Sequence, residues 1–308
     1  MISLYVAITD WDWFDYLRAR PNLPEVNFWQ PGGKTVFKAL QPGELFAFKL
    51  HSPRNFIVGA GVFSHATILP TSLAWDAFGE ANGAASLEQM RARIRRYQKA
   101  SFARGEDQRI GCRLLQQPVF LDEPFWQAVP PSWSPPIVSG KRYSTDDSEG
   151  LKLWEALHAR LQQILPVGSG VAEERARYGG PTLIQPRLGQ GTFRIMVTDA
   201  YRRQCSVTGE RALPVLDAAH IRPYANGGNH AVQNGLLLRS DVHTLFDRGY
   251  VTVTPAYRLE VSKRIKDEFD NGKHYYAFHG KELILPRDHL QMPAKHELEW
   301  HNNNVFLG

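Results

Sequence analysis

The stretch CSVTGERALPVLDAAHIRPYANGGNHAVQNGLLLRSDVHTLFDRGYVTV, residues 205–253, constrains this chain more tightly than any other part of its 308 residues. Its apolar pattern breaks into short pieces separated by turn formers. Residues 215–221 read as a strand that ends near His220, and 223–229 as a loop rich in glycine and asparagine. Residues 234–238 give a second strand, and 241–246 begin a helix. His220, Asn234 and His243 fall on the first strand, the second strand and the helix in turn. A lone histidine is ordinarily a satisfied core or surface residue, but this spacing on strand, loop, strand and helix points to a shared site.

DAAHI, then NGLLL, then DVHTLFDRG resemble the HNH endonucleases, the ββα-metal fold, and in particular those of bacterial restriction systems. The likeness extends upstream to PRLGQGTFR at 186–194 and downstream to LEWHNNNVF at 298–306. It implies a metal-dependent endodeoxyribonuclease. Phosphodiester hydrolysis needs a water deprotonated near neutral pH and a cation to neutralise the crowded charge and the leaving 3′ oxygen. A neutral imidazole suits the first task, and the resemblance makes His220 the general base. It also implies that Asn234 holds the backbone carbonyl that orients this base, and that His243 ligates the metal. The family's second ligand usually precedes the base, where this chain has Ala219, which cannot bind metal. Asp217 is the nearest acid, placed by strand alternation on the face of Ala219, with Asp241 and Asp247 as substitutes. Mg²⁺ or Mn²⁺ is the expected ion.

Relatives in the family often carry a structural zinc on four cysteines. This chain has two cysteines in all, Cys112 and Cys205, so packing alone must hold the domain, and a reducing cytoplasm is expected. Arg194, Arg202, Arg203, Arg222 and Arg239 are candidates for phosphate contacts, and the GQG at 189–191 for close backbone approach to DNA. The net charge of +5 favours an anionic partner only weakly, since many basic proteins bind no nucleic acid. Asp10 interrupts the N-terminal apolar run too early for a signal peptide, and no run is long enough to span a membrane.

The fold expected is α+β in three parts. Residues 1–125 carry short strands at 4–9, 35–40, 45–50 and 55–63, a helix at 72–78, a basic helix at 86–100 and a further strand at 110–120. Together they suggest a small curved sheet or barrel. Arg91, Arg93, Arg95, Arg96 and Lys99 on the basic helix form the kind of run that is usually a solvated face. Residues 126–185 read as a proline-rich linker and an amphipathic helix at 151–165, and 186–308 as the nuclease domain. The strand pattern around Pro42-Gly43-Glu44, LFAFKL and IVGAGVF resembles the PUA-like superfamily, with its EVE, YTH and SRA base readers. That likeness implies a pocket in which a flipped modified base stacks on aromatic rings, with Trp11 and Trp29 as candidates and plain core packing as the alternative.

A PUA-like reader joined to an HNH cutter resembles modification-dependent restriction endonucleases acting on double-stranded DNA with methyl- or hydroxymethylcytosine. A conventional restriction enzyme on unmodified DNA, a non-catalytic DNA- or RNA-binding module and an RNA-directed nuclease are the competing readings. One HNH site cuts one strand, so a homodimer, stable or formed on DNA, is expected.

Overall fold

The computed structural model describes residues 2–97, 107–164, 183–184 and 187–308. The chain forms two compact units, Met1–Gly189 and Gln190–Gly308.

The first unit is built on a seven-stranded mixed sheet. Its strands are β1 (Ser3–Thr9), β2 (Glu25–Gln30), β3 (Leu45–Leu50), β4 (Phe56–Pro70), β5 (Arg109–Phe120), β6 (Gln127–Ala128) and β7 (Gly140–Ser144). The order is β2-β5-β4-β3-β1-β7, with β6 also on β4. β1 runs parallel to β3, and the other pairs are antiparallel. All six β3 residues are buried, as expected of a strand covered on both faces. Leu45 and Ala47 join a core that also holds Leu153, Trp154 and Leu157 of α4 (Ser148–Ile164). Phe46 and Phe48 belong to an aromatic layer in which Trp13, Phe28 and Phe120 meet edge-on or stacked. Trp13 and Leu17 of α1 (Trp11–Arg18) are buried, as their spacing implies. The buried Glu44 carboxylate accepts from the backbone N–H of Ser3 and of Gln41 at 2.6 and 2.7 Å, tying β1 to the turn that opens β3.

Three expectations differ from this arrangement. Residues 35–40 form no strand, and the half-buried Phe37 is held by rings and not by a ladder. It meets Tyr5 at 4.9 Å and Phe63 at 5.5 Å, with the Arg113 guanidinium over its face. β4 runs on to Pro70, since β5 pairs with it as far as Arg109, with irregularities that absorb the broken polar alternation. The segment 126–185 is not a linker where it is described. β7 adds to the edge of the sheet beside β1, and the apolar face of α4 closes one side of the core, so the boundary falls at Gly189. Helices α2 (Thr71–Phe78) and α3 (Leu87–Tyr97) follow the sequence reading closely, with the Ser86 hydroxyl accepting from Gln89 N–H at the start of α3. On α3, Arg91 pairs with Asp107, Arg93 donates to the Gly83 carbonyl, and Arg96 lies 3.8 Å from Asp12. Lys99 lies outside the described residues.

The second unit carries α5 (Gln190–Ala200), the hairpin β8 (Leu216–His220) and β9 (Gly235–Arg239), then α6 (Ser240–Asp247). A second hairpin, β10 (Val251–Val253) with β11 (Leu259–Val261), and later α9 (Lys295–Asn304) complete its frame, with two short helices between them: α7 (Arg264–Phe269) and α8 (Lys273–Tyr276). Phe193, Val197, Leu216, Leu237, Val242 and Phe246 share one core, so the hairpin is clamped between α5 and α6. The buried Cys205 thiol accepts from Thr208 N–H and Arg239 N–H at 3.4 and 3.3 Å, fixing the CSVTG turn against β9. No described helix is long and apolar enough to cross a membrane.

His301 of α9 makes this unit sensitive to acid. Its ring is buried and stacked on Phe246 at 3.7 Å, and its two nitrogens meet Thr252 Oγ1 and the Phe246 carbonyl at 2.8 and 3.1 Å. Burial depresses its pKa from 6.5 to about 4. The unfolded chain therefore takes up the proton first as pH falls. Stability is full above about 6.5 and declines between there and about 4, by about 3 kcal/mol from this group. Hydrogen exchange of the β10 amides should show protection falling over that window. Flat protection from pH 7 to 4 would mean that the fold accommodates the imidazolium.

Candidate active site

β8 delivers His220 at its last residue, opposite Gly235, the first of β9. Asn234 immediately precedes that strand and is 1% exposed, with every polar atom of its side chain in use. Its Oδ1 accepts from Arg222 N–H, and its Nδ2 donates to the carbonyls of Arg222 and Asn229, each at 2.9 Å. The asparagine thus closes the 222–234 loop on itself. Gly228 is required there, because a Cβ would lie 1.9 Å from the Arg222 carbonyl oxygen.

The closed loop places a residue that the sequence reading missed. His230 Nδ1 lies 2.9 Å from His220 Nε2. Phe193 of α5 stacks on His220 at 3.9 Å and 16°, and Tyr224 stacks on His230 at 5.1 Å and 7°. The resemblance had implied a backbone carbonyl as the orienting partner of His220; the partner seen is this imidazole, with Asn234 acting through the loop. The signal was present in NHAVQNG, a histidine in a glycine-closed loop between the two motif residues. Burial, assisted by His230 and His243, lowers the His220 pKa from 6.5 to about 4.

On α6, His243 is flanked by two acids. Its Nδ1 lies 3.5 Å from Asp217 Oδ2 on β8, and its Nε2 lies 3.3 Å from Asp247 Oδ2 one turn along its own helix. Burial holds the Asp247 carboxyl above its ordinary range, with Asp217 adding to this and His243 opposing it. Asp241 is no alternative, since it is committed to a two-bond ion pair with Arg239 at 2.6 and 2.8 Å and accepts from Tyr275. Among the described residues no three His, Cys, Asp or Glu groups stand in ready metal-ligating geometry. The donor chemistry nevertheless fits a divalent ion: two carboxylates flank one imidazole, and a cation would offset the burial and the Asp217 charge that together hold Asp247 up.

The arginines divide by what they touch. Arg239 is spoken for by Asp241, and Arg203 by Asp199 at 3.4 Å. Arg222 donates to the Asn226 carbonyl and lies over Trp300 at 5.2 Å. Arg202 is exposed in the turn after α5, and Arg194 is half-buried on that helix. Both glycines of the GQG segment are packed against protein. Gly189 N–H donates to Gln116 Oε1, a Cβ there would lie 2.3 Å from the Glu25 carboxyl carbon, and Gly191 is buried inside α5.

In the first unit Trp29 lines a cavity of about 380 Å³ together with Tyr5, Asp10, Trp13, Phe28, His51, Tyr97 and Arg113. Its Nε1–H is fixed on the Asn82 carbonyl at 2.8 Å. Asp10 accepts from the Tyr97 hydroxyl at 2.6 Å and faces His51 Nε2 at 3.3 Å, and burial with Asp10 raises Tyr97 to about 12. Trp11 does not line this space. It borders a smaller neighbouring cavity of about 160 Å³, with the Arg54 guanidinium 4.0 Å over its ring.

Residues 205–254 match the family model described as HNH endonuclease, and this segment is an HNH endonuclease domain. Among solved structures the chain is similar to the modification-dependent TagI restriction endonuclease, at 15% identity and a TM-score of 0.28, over 85% of this chain and 61% of that one. It is also similar to ASCH from Zymomonas mobilis, at 13% identity and a TM-score of 0.31, over 49% of this chain and 94% of that one. No curated protein matches the chain.

Proposed function

We propose that this protein is a metal-dependent, modification-dependent DNA endonuclease in which the second unit cuts and the first unit reads the base. The observation that carries the cutting role is the ββα scaffold itself, which gathers His220, His230, Asn234, His243 and Asp217 within the segment that matches the nuclease family. His220 is neutral at physiological pH and takes the proton of the attacking water, and the charge gathering on phosphorus strengthens it as a base at that moment. His243 with Asp217 or Asp247 would hold Mg²⁺ or Mn²⁺, which when bound supplies charge neutralisation at the scissile phosphate. Arg202, Arg222 and Arg194 are candidates to meet the backbone. Double-strand cleavage needs two copies, each cutting one strand.

The reading role rests on the Trp29 cavity. Its volume suits a single base or nucleoside, its walls are aromatic, and Asp10, His51 and Arg113 supply an acceptor and donors for a base edge. The test is digestion of otherwise identical DNAs carrying cytosine, methylcytosine, hydroxymethylcytosine or glucosylated hydroxymethylcytosine. Cleavage should depend on modification. Trp29→Ala should erase that preference, since base stacking is worth roughly 1–3 kcal/mol, while salt-dependent binding persists. Equal cutting of all four DNAs by the intact protein would replace this reading with a conventional restriction enzyme, and cleavage confined to structured RNA would replace both.

A further inference from the structure

The pairing of two imidazoles in the nuclease unit decides more than the position of a ring. A single proton lies between His220 Nε2 and His230 Nδ1, 2.9 Å apart. If His230 donated it, His220 would carry its own proton at Nδ1 and have no lone pair for water. If His220 donates it, Nδ1 is left basic, and among the described residues Nδ1 has no other partner. The surroundings hold the two rings in register for this bond, and only the second arrangement leaves His220 able to act as a base. Asn234 grips the Asn229 carbonyl, one residue before His230, and the aromatic faces of Tyr224 and Phe193 fix the two ring planes.

Resting on the nuclease reading above, we propose that His230 is a positioning residue: it accepts from Nε2–H of His220 and so keeps the Nδ1 lone pair of His220 for the nucleophilic water. During attack a water O–H bond breaks as its oxygen bonds to phosphorus, and the proton goes to His220 Nδ1. The P–O3′ bond breaks, and the 3′ oxygen leaves with the bonding pair and takes a proton from solvent. The His220 imidazolium keeps its Nε2–H on His230 throughout, then returns the Nδ1 proton to solvent. His230 neither gains nor loses a proton. The place that the family resemblance gives to a carbonyl is filled here by a side chain.

The experiment uses the full chain with a duplex DNA substrate and compares His230→Leu, His230→Asn and His220→Ala, alongside the imidazole ¹⁵N shifts of His220. His230→Leu should lower kcat by roughly 10–100-fold, the usual cost of losing the partner that orients a working histidine, with KM little changed. His230→Asn puts an amide oxygen where Nδ1 stood and should recover most of the rate. The ¹⁵N shifts should report the Nε2–H tautomer in the wild type and a mixture in the leucine variant. Wild-type cutting by His230→Leu with an inactive His220→Ala overturns this proposal and leaves the nuclease reading standing. Equal impairment of the leucine and asparagine variants with an unchanged His220 tautomer also overturns it. If the leucine variant does not fold, an Nδ1–H tautomer in the wild type is sufficient to reject it. An active His220→Ala removes the base assignment itself.

Discussion

His220→Ala should lower single-turnover DNA cleavage by on the order of 10²–10⁴-fold, the contribution of a positioned general base, while salt-dependent DNA binding stays within a few-fold of wild type. The imbalance follows from where the side chain sits. His220 ends β8 and is half-exposed, and it makes a stack on Phe193 and one hydrogen bond to His230. The β8–β9 ladder and the core beneath it depend on Leu216, Ala219 and Ile221, which the substitution leaves alone. Binding by a nuclease is dominated by phosphate contacts, to which an imidazole that is neutral in the fold contributes little. The loss should therefore appear in the chemical step. A folded variant that binds and cuts at near wild-type rate would move the base elsewhere, with His230 the next candidate by distance.

The nuclease unit was legible because its local pattern and its chemistry coincide. The ends of β8, β9 and α6 fall within a residue or two of the expected positions, and the polar residues that interrupt the apolar runs are the ones brought together. His230 escaped because it belongs to no periodic element. Its position is set by a glycine that permits close approach to Arg222 and by an asparagine that grips the loop from the far side, and neither effect has a period. Of the acids expected near His243, Asp217 came first by proximity in sequence and Asp247 stood only as a substitute, yet Asp247 lies on the face of α6 that carries His243, where four-residue spacing makes it an equal neighbour. In the first unit the proline-rich stretch misled for a physical reason. Proline is compatible with edges and turns, and 126–150 supplies an edge strand and a helix start around which prolines fit. Trp11 and Trp29 were indistinguishable by residue type; both border the smaller cavity, but Trp29 alone lines the larger one, and the Arg54 guanidinium lies over Trp11.

The metal requirement is the second large effect, and the two acids around His243 make it informative. His243 sits between Asp217 and Asp247, and its two contacts with them name the groups that would share a cation with it. Cleavage should cease in excess chelator and return with Mg²⁺ or Mn²⁺. His243→Ala should raise the metal concentration for half-maximal activity by at least on the order of 10–100-fold, since losing even an outer partner of a metal ligand costs that much. The acids are then separated by paired variants. If Asp217→Asn raises the requirement and Asp247→Asn does not, the second ligand comes from β8, and Asp247 serves to orient the imidazole from its own helix. The reverse result would place both protein ligands on α6. A readout free of catalysis is the rise in thermal midpoint that saturating Mn²⁺ produces by binding the folded state, which His243→Ala should abolish. Undiminished cutting in excess chelator would remove the metal mechanism and leave the His220–His230 pair to explain hydrolysis alone. Two neutral imidazoles supply a base but nothing to neutralise the charge on the scissile phosphate.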